Sequence, residues 1–381
     1  MINETVPEGF QKTEVGIIPN DWSVKTLFEV LKVKHGKSQK EVANAKGEYP
    51  ILASGGVIGR AKEFLYDKPS VLIGRKGTID KPQLMTTPFW SVDTLFYTEI
   101  FDGNSAEFIF YNFLLIDWYS YNEASGVPSL NARTIEQIKI PLPPTKGEQT
   151  AIANALNDAD ELITRLEQLI AKKRLIKQGA MQELLKPKGD WEVKKLGEVG
   201  ECIIGLTYSP RNISTEGKLV LRSSNIFNNK LVYNDNVFVN VKISERLITK
   251  NGDILICVRN GSRNLIGKCA YINGKGVGET FGAFMSIFRS SYNDFIFHVF
   301  QSNIIQRQIE ETIGATINQL TNKNLNAFEI PFPNTSEQTR IAQILSDMDA
   351  EIVALETKLA KYKMLKQGMM QNLLTGKIRL V

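Results

Sequence analysis

Apolar residues recur at helical spacing from Glu148 to Leu185, and the pattern returns 189 residues later, from Glu337 to Leu374. In the first run they fall at Ile152, Ala155, Ala159, Leu162, Leu166 and Leu169, a 3-4 alternation that Leu156, Ile163 and Ile170 widen into a stripe. The second run has Ile341, Ile344, Leu345, Met348, Ile352, Leu355, Leu359, Tyr362 and Leu365. The runs also share Glu148-Gln149 with Glu337-Gln338, Lys177-Gln178-Gly179 with Lys366-Gln367-Gly368, and Gln182-x-Leu184-Leu185 with Gln371-x-Leu373-Leu374. Each follows a proline-containing lead-in, Ile140-Pro141-Leu142-Pro143 or Ile330-Pro331-Phe332-Pro333. Beyond the lead-in neither run has a proline before its end, so each is predicted to form one helix roughly 55 Å long. A single apolar stripe of that length needs a partner. The economical one is the other copy, in an antiparallel coiled coil built on Ile152, Leu162, Leu166, Leu169, Ile344, Met348, Ile352, Leu355 and Leu359.

Between these helices the pattern changes. Short β-type runs such as Ser70-Val71-Leu72-Ile73 and Asp253-Ile254-Leu255-Ile256-Cys257-Val258 alternate with glycine-bearing turns. The stretches Ala106 to Tyr119 and Asn293 to Ile313 have helical character. Both mixed regions open alike, with Asp21-Trp22-Ser-Val-Lys-Thr-Leu-Phe-Glu-Val and Asp190-Trp191-Glu-Val-Lys-Lys-Leu-Gly-Glu-Val. The expected fold is α+β: two mixed domains with a twisted, barrel-like sheet, separated by the two long helices and related by an internal pseudo-two-fold repeat. The expected boundaries are a leader at 1–20, a mixed domain at 21–142, a helix at 143–187, a second mixed domain at 188–333 and a C-terminal helix at 334–381. Outside their openings the mixed domains resemble each other far less than the helices do, which points to one mechanical role with two specificities.

Composition changes little in this picture. A chain of 381 residues with 43% hydrophobic and 23% charged residues is ordinary globular protein, neither disordered nor fibrous. It has no apolar run near bilayer-spanning length and its N-terminus is polar, so a cytoplasmic location without membrane contact is expected. Cys202, Cys257 and Cys269 form no Cys-x-x-Cys spacing and are expected to be reduced and half-buried. The net charge of +5 permits a nucleic-acid partner without demanding one.

Candidate chemistry is mostly excluded by spacing. His35 and His298 lie in different repeats without partnered cysteines, so neither a metal cluster nor a histidine triad is supported. Gly261 to Lys268 fails as a phosphate loop, because Cys269 stands where a magnesium-binding Ser or Thr is required. Gly276-x-Gly278 lacks the third glycine of a dinucleotide fingerprint. Glu192-x-Lys194 has the form found in some nucleases, but the other repeat has Ser23-x-Lys25, and a strand surface explains it better. No catalytic site and no metal site is expected.

Arginine and small polar residues beside glycine stand out instead. The first mixed domain carries Ser54-Gly55-Gly56-x-x-Gly59-Arg60 and Gly74-Arg75-Lys76-Gly77-Thr78; the second carries Arg222-Ser223-Ser224-Asn225 and Arg259-Asn260-Gly261-Ser262-Arg263. Arginine pairs with guanine O6 and N7, asparagine with adenine N6 and N7, and serine or lysine with phosphates, while glycine admits close approach of the backbone. The candidate DNA contacts are Ser54, Arg60, Arg75, Lys76, Thr78, Arg222, Ser224, Asn225, Arg259, Asn260, Ser262 and Arg263. Two such domains on one rigid support would read two unrelated half-sites, as the two subunits of a dimeric reader meet two half-sites.

The opening Phe10-Gln11-Lys12-Thr13-Glu14-Val15-Gly16-x-Ile18-Pro19-x-Asp21-Trp22, the Pro-rich lead-in with Glu148-Gln149, Lys177-Gln178-Gly179 and Phe89-Trp90-Ser-Val-Asp93-Thr94 resemble the specificity subunits of type I restriction-modification systems. The resemblance covers essentially the whole chain. It implies two target recognition domains, each reading half of a bipartite site in double-stranded DNA, and helices that act as a ruler. It also implies two methyltransferase subunits that carry S-adenosylmethionine, and motor-nuclease restriction subunits that use ATP and magnesium, with no cofactor on this chain. The rival readings are a coiled-coil adaptor whose mixed domains bind proteins and an enzyme of unrecognised type.

Overall fold

The computed structural model describes residues 6–313 and 319–380. Residues 1–5 of the expected leader and residue 381 lie outside the described residues. The chain divides into two compact units, Met1–Glu167 with Thr357–Val381, and Gln168–Glu356. The division falls inside both long helices, not at their ends.

These helices run unbroken over Lys146–Leu184 and Thr335–Leu373, 39 residues each. In the first unit Lys366 Nζ lies 2.5 Å from Asp160 Oδ1 and Lys363 Nζ lies 2.6 Å from Glu167 Oε1. In the second, Lys177 Nζ lies 2.6 Å from Asp349 Oδ1 and Arg174 Nη2 lies 2.7 Å from Glu356 Oε1. Within each unit, as one helix advances its partners on the other recede, so the two segments run antiparallel. The pairs in one unit are the repeat equivalents of those in the other.

The apolar stripe is rotated from its expected line. Ile152, Leu166 and Ile352 are buried and Leu162, Ile344, Met348, Leu355 and Leu359 are half-buried, but Leu169 is 38% exposed. Leu156, Ile163 and Ile170 are buried, and seven-residue spacing keeps them on one side of the helix. The stripe's centre therefore runs through the positions that seemed only to widen it.

Each mixed region repeats one strand topology. In the first unit Ser23–Thr26 pairs antiparallel with the lead-in strand Lys139–Leu142. In the second, Glu192–Lys195 pairs in the same way with Glu329–Phe332. The prolines end these strands and let the chain turn into the long helix. Next comes a four-stranded antiparallel sheet. In the first unit its order is Leu31–His35, Leu95–Ile100, Ser70–Gly74, Gln83–Met85; in the second it is Glu201–Ile204, Met285–Arg289, Ile254–Cys257, Cys269–Tyr271. A further sheet, of three strands in the first unit and four in the second, contains a parallel pair, Tyr49–Ala53 with Trp90–Ser91 and Lys218–Leu221 with Thr280–Phe281. The expected barrel-like sheet is thus not one sheet: among the described residues the first mixed region has three sheets and the second has four. Val71, Leu72 and Ile73 are fully buried, as are Ile254, Leu255, Ile256 and Cys257, which explains their unbroken apolar runs.

The opening tryptophans and the helix ends meet in each unit. Trp22 and Ile18 pack in one cluster with Ile152, Ala153, Leu156, Met370, Leu373 and Leu374. The repeat equivalents Trp191, Ile341, Ala342, Leu345, Met181, Leu184 and Leu185 share a cluster in the second unit. Ile18 and Trp22 therefore lie beside the end of the second long helix.

Candidate nucleic-acid interface

The shared Glu-Gln pair at the start of each long helix has a structural role. Gln149 Nε2 donates to Pro143 O at 3.5 Å, its Oε1 accepts from Ser105 N at 2.9 Å, and Gln338 Nε2 donates to Pro333 O at 2.7 Å. These amides satisfy carbonyls that the lead-in prolines leave at a buried corner. Glu148 holds Arg379 through bonds of 2.5 and 3.0 Å, Arg379 also grips Asp21, and its guanidinium lies 5.8 Å from the Trp22 ring centre. In the second unit Glu337 pairs with Lys188 at 3.2 Å, and Lys188 lies 5.7 Å from the Trp191 ring centre. Arg340 and Lys188 together hold the Glu337 carboxyl down to about 2, and Arg379 holds Asp21 below its ordinary range. The same clamp of tryptophan, cation and glutamate fastens each helix to its mixed domain.

In the first unit the buried strand Ser70–Gly74 leads into the turn Arg75–Thr78. The amides of Arg75 and Lys76 donate to Thr94 O at 2.9 and 3.2 Å, and Leu130 N donates to Arg75 O at 2.9 Å. Gly77 takes φ +88°, a conformation that favours glycine, and a Cβ there would stand 3.5 Å from Ser54 Oγ. The turn thus gathers Ser54, Arg75, Lys76 and Thr78. Arg75 is half-buried with its guanidinium on Asp93 O at 3.2 Å, whereas Lys76 is exposed. Arg60 does not join them. It donates to Glu48 O at 2.8 Å from the far end of the Tyr49–Ala53 and Gly56–Ala61 hairpin, about 13 Å along the strand from the Ser54 turn.

The second unit has the same backbone frame. Val258 N and Arg259 N donate to Phe284 O at 3.0 and 3.1 Å, and Leu320 N donates to Val258 O at 2.8 Å. Lys76 bridges to Ser129 as Arg259 bridges to Gln319. Lys76 and Arg259 are therefore equivalent, and so are Thr94 and Phe284. Asn260 Nδ2 bonds Ser223 Oγ at 3.2 Å, joining the two motifs that sequence had placed in this domain, and Ser224 and Ser262 are exposed beside them. A cleft of about 590 Å³ opens here, lined by Tyr208, Ile213, Arg222, Ser223, Ser224 and Phe284 among others.

Two candidate contacts are committed to the fold. Asn225 is fully buried: its Oδ1 accepts from Arg222 N at 3.0 Å and its Nδ2 donates to Val232 O at 3.0 Å, so it shapes the turn and presents no amide outward. Arg263 donates to Glu310 O and Ile313 O at 3.3 and 3.0 Å, closing the end of the Asn303–Thr312 helix. Arg222 stays at the cleft but is paired with Asp235 at 2.9 Å. Phe284, 57% exposed, and Val57 and Ile58, 65% and 56% exposed on the hairpin, are outward-facing apolar residues that the sequence pattern does not single out. An apolar residue in a strand-forming stretch carries no signal that it points outward.

The three cysteines and His298 are withdrawn from solvent, whereas His35 is exposed. Cys202, Cys257 and Cys269 are fully buried instead of half-buried, and burial pushes Cys202 and Cys269 up to about 12. His298 is 2% exposed, packed against Ser346, and held down to about 4 by burial and then by Lys177. Among the described residues no helix is long and apolar enough to cross a membrane.

The family model for the type I restriction modification DNA specificity domain matches residues 19–177 and again residues 188–362. The chain belongs to this family, with two copies of its domain. It is similar to the type I restriction enzyme MjaVIII specificity subunit of Methanocaldococcus jannaschii, 25% identical over 418 aligned residues that cover 98% of this chain and 96% of that one. It is also similar to the type I restriction enzyme EcoKI specificity subunit of Escherichia coli strain K12, 27% identical across 50% of this chain and 43% of that one. Among solved structures, the S subunit of a type I restriction-modification system from M. genitalium shares the fold, with a TM-score of 0.66 at 17% identity over 92% of this chain and 96% of that one.

Proposed function

We infer that this chain is the DNA-specificity subunit of a type I restriction-modification complex, and that each unit reads one half of a bipartite site. The carrying observation is the repeated frame in which one carbonyl, Thr94 O or Phe284 O, binds two successive amides and holds Lys76 or Arg259 at the same place. One frame with different side chains is what two different half-sites require. Ser54, Lys76 and Thr78 form the contact set of the first domain, with Arg75 in support and Arg60 apart. Arg259, Asn260, Ser224 and Ser262 form that of the second, with Arg222 at the cleft. A lysine or arginine on an ordered turn suits phosphate contact or guanine reading.

On this reading the long helices form one antiparallel coil that sets the spacing of the half-sites, supported by the matching ion pairs in each unit. The recognition domains correspond to 21–142 and 188–333. The chain itself is non-catalytic: methyl transfer belongs to methyltransferase subunits carrying S-adenosylmethionine, and cleavage to motor-nuclease subunits using ATP and magnesium, in the cytoplasm. An adaptor without DNA readout is not favoured, because both halves of the chain match a DNA specificity domain. The test is to express the chain with its methyltransferase in a host without other modification enzymes and map the methylated bases. A single two-part motif is expected, and methylation at unrelated sequences would overturn the reading.

A further inference from the structure

Phe284 is presented outward by a backbone that cannot easily retract it. Its carbonyl accepts from both Val258 N and Arg259 N, and the tight turn before the Met285–Arg289 strand is closed by Met285 N on Gly282 O at 2.8 Å. The side chain is 57% exposed, and the Arg259 guanidinium carbon lies 5.0 Å from its ring centre. Among the described residues no carboxylate pairs with Arg259. An exposed phenyl ring beneath an unpaired guanidinium combines an apolar face with a fork of N–H donors. The same ring lines the cleft of about 590 Å³ with Tyr208 and Ile213, so the apolar surface continues past Phe284.

We propose that Phe284 is a specificity-determining residue of the second domain, reading the C5-methyl group of a thymine while Arg259, whose guanidinium lies over its ring, donates to the O6 and N7 of an adjacent guanine. This rests on the reading of the chain as a DNA-specificity subunit. Thymine differs from cytosine in the major groove by its methyl group and by O4 in place of the amino donor, and a phenyl ring makes apolar contact with that methyl. The pair spans neighbouring bases, so one element reads a two-base step. In the first domain the equivalent positions hold Lys76 and Thr94, a different charge carrier and a small side chain with one methyl and a hydroxyl, so the first half-site is read differently at the matching step.

The test uses the full chain assembled with its methyltransferase subunits and duplexes carrying the site found by methylation mapping. Each thymine of the site is replaced in turn by uracil, which removes only the methyl group. One thymine, next to a guanine and in one half-site, should weaken binding by about 5-fold or more when demethylated. The Phe284→Ala complex should bind the methylated and demethylated duplexes alike at that position while keeping its preference in the other half-site. No methyl-sensitive thymine next to a guanine, or sensitivity that persists in Phe284→Ala, would overturn this assignment alone. A wild-type complex that binds a duplex of unrelated sequence as tightly as the unsubstituted site would instead overturn the recognition reading, and this assignment with it. The uracil scan on the wild-type complex needs no variant to fold.

Discussion

Lys177 Nζ lies 2.6 Å from Asp349 Oδ1, and the repeat equivalents of these two residues, Lys366 and Asp160, meet at 2.5 Å. Lys177 is mostly buried, its side chain 12% exposed, and it also donates to Gln301. Removing the lysine leaves Asp349 without its main partner in a half-dry place. Lys177→Met is expected to destabilise the protein by about 1–3 kcal/mol, between the values for exposed and buried pairs. The exchange Lys177→Asp with Asp349→Lys should recover much of the loss of either single reversal. Denaturant unfolding of the four proteins checks this, and strictly additive effects would mean the pair contributes nothing as a pair.

Arg379 closes the first unit by binding Glu148, whose side chain is 3% exposed. Arg379→Ala strands that carboxylate in the interior, at an expected cost of about 3 kcal/mol. Adding Glu148→Gln removes the stranded charge, so the double variant should be more stable than Arg379→Ala alone. Thermal melts compare them directly. In the second unit the equivalent cation, Lys188, has a side chain 52% exposed, so Lys188→Ala should cost less than about 1 kcal/mol.

His298 makes stability depend on pH. Its folded value is held down to about 4, against 6.5 for an ordinary histidine, by burial first and the Lys177 charge second, with Asp349 and Asp294 opposing. Between those values the unfolded chain binds the proton and the folded chain does not. Acidification from about pH 6.5 to 4 therefore draws the protein toward unfolding, by up to about 3 kcal/mol from this group. Above pH 6.5 the contribution is flat. The His298→Gln variant can still bond Ser346 and should lose this part of the slope, measured as the difference between the two stability curves over that range.

The repeat was readable because helices keep their pattern through sequence drift: each long helix is one element, and each tryptophan opening is the same strand followed by the same short helix. The rotated stripe was not readable. Leu162 and Leu169 fit the 3-4 alternation as well as Ile163 and Ile170 do, and only packing against a real neighbour separates them. The interface was half readable. Arg-Gly turns drew attention to the loops that the fold gathers around Ser54 and Lys76 and around Ser223 and Asn260, but the equivalence of Lys76 with Arg259 is carried by backbone bonds to Thr94 and Phe284, which have no sequence signature. Asn225 and Arg263 looked like readers because their side chains can bind bases; here they bind carbonyls of their own chain.

The division of labour between the domains is tested most directly by mapping methylated sites for Lys76→Ala and Arg259→Ala, each assembled with wild-type methyltransferase. Both residues sit on ordered turns at the surface, so both variants should fold and assemble. Lys76→Ala should relax or weaken recognition of one half-site and Arg259→Ala that of the other, each by about 1–3 kcal/mol of discrimination at the affected base pair, with the spacer between the halves unchanged. If both variants altered the same half, or altered both halves equally, the two units would not be independent readers.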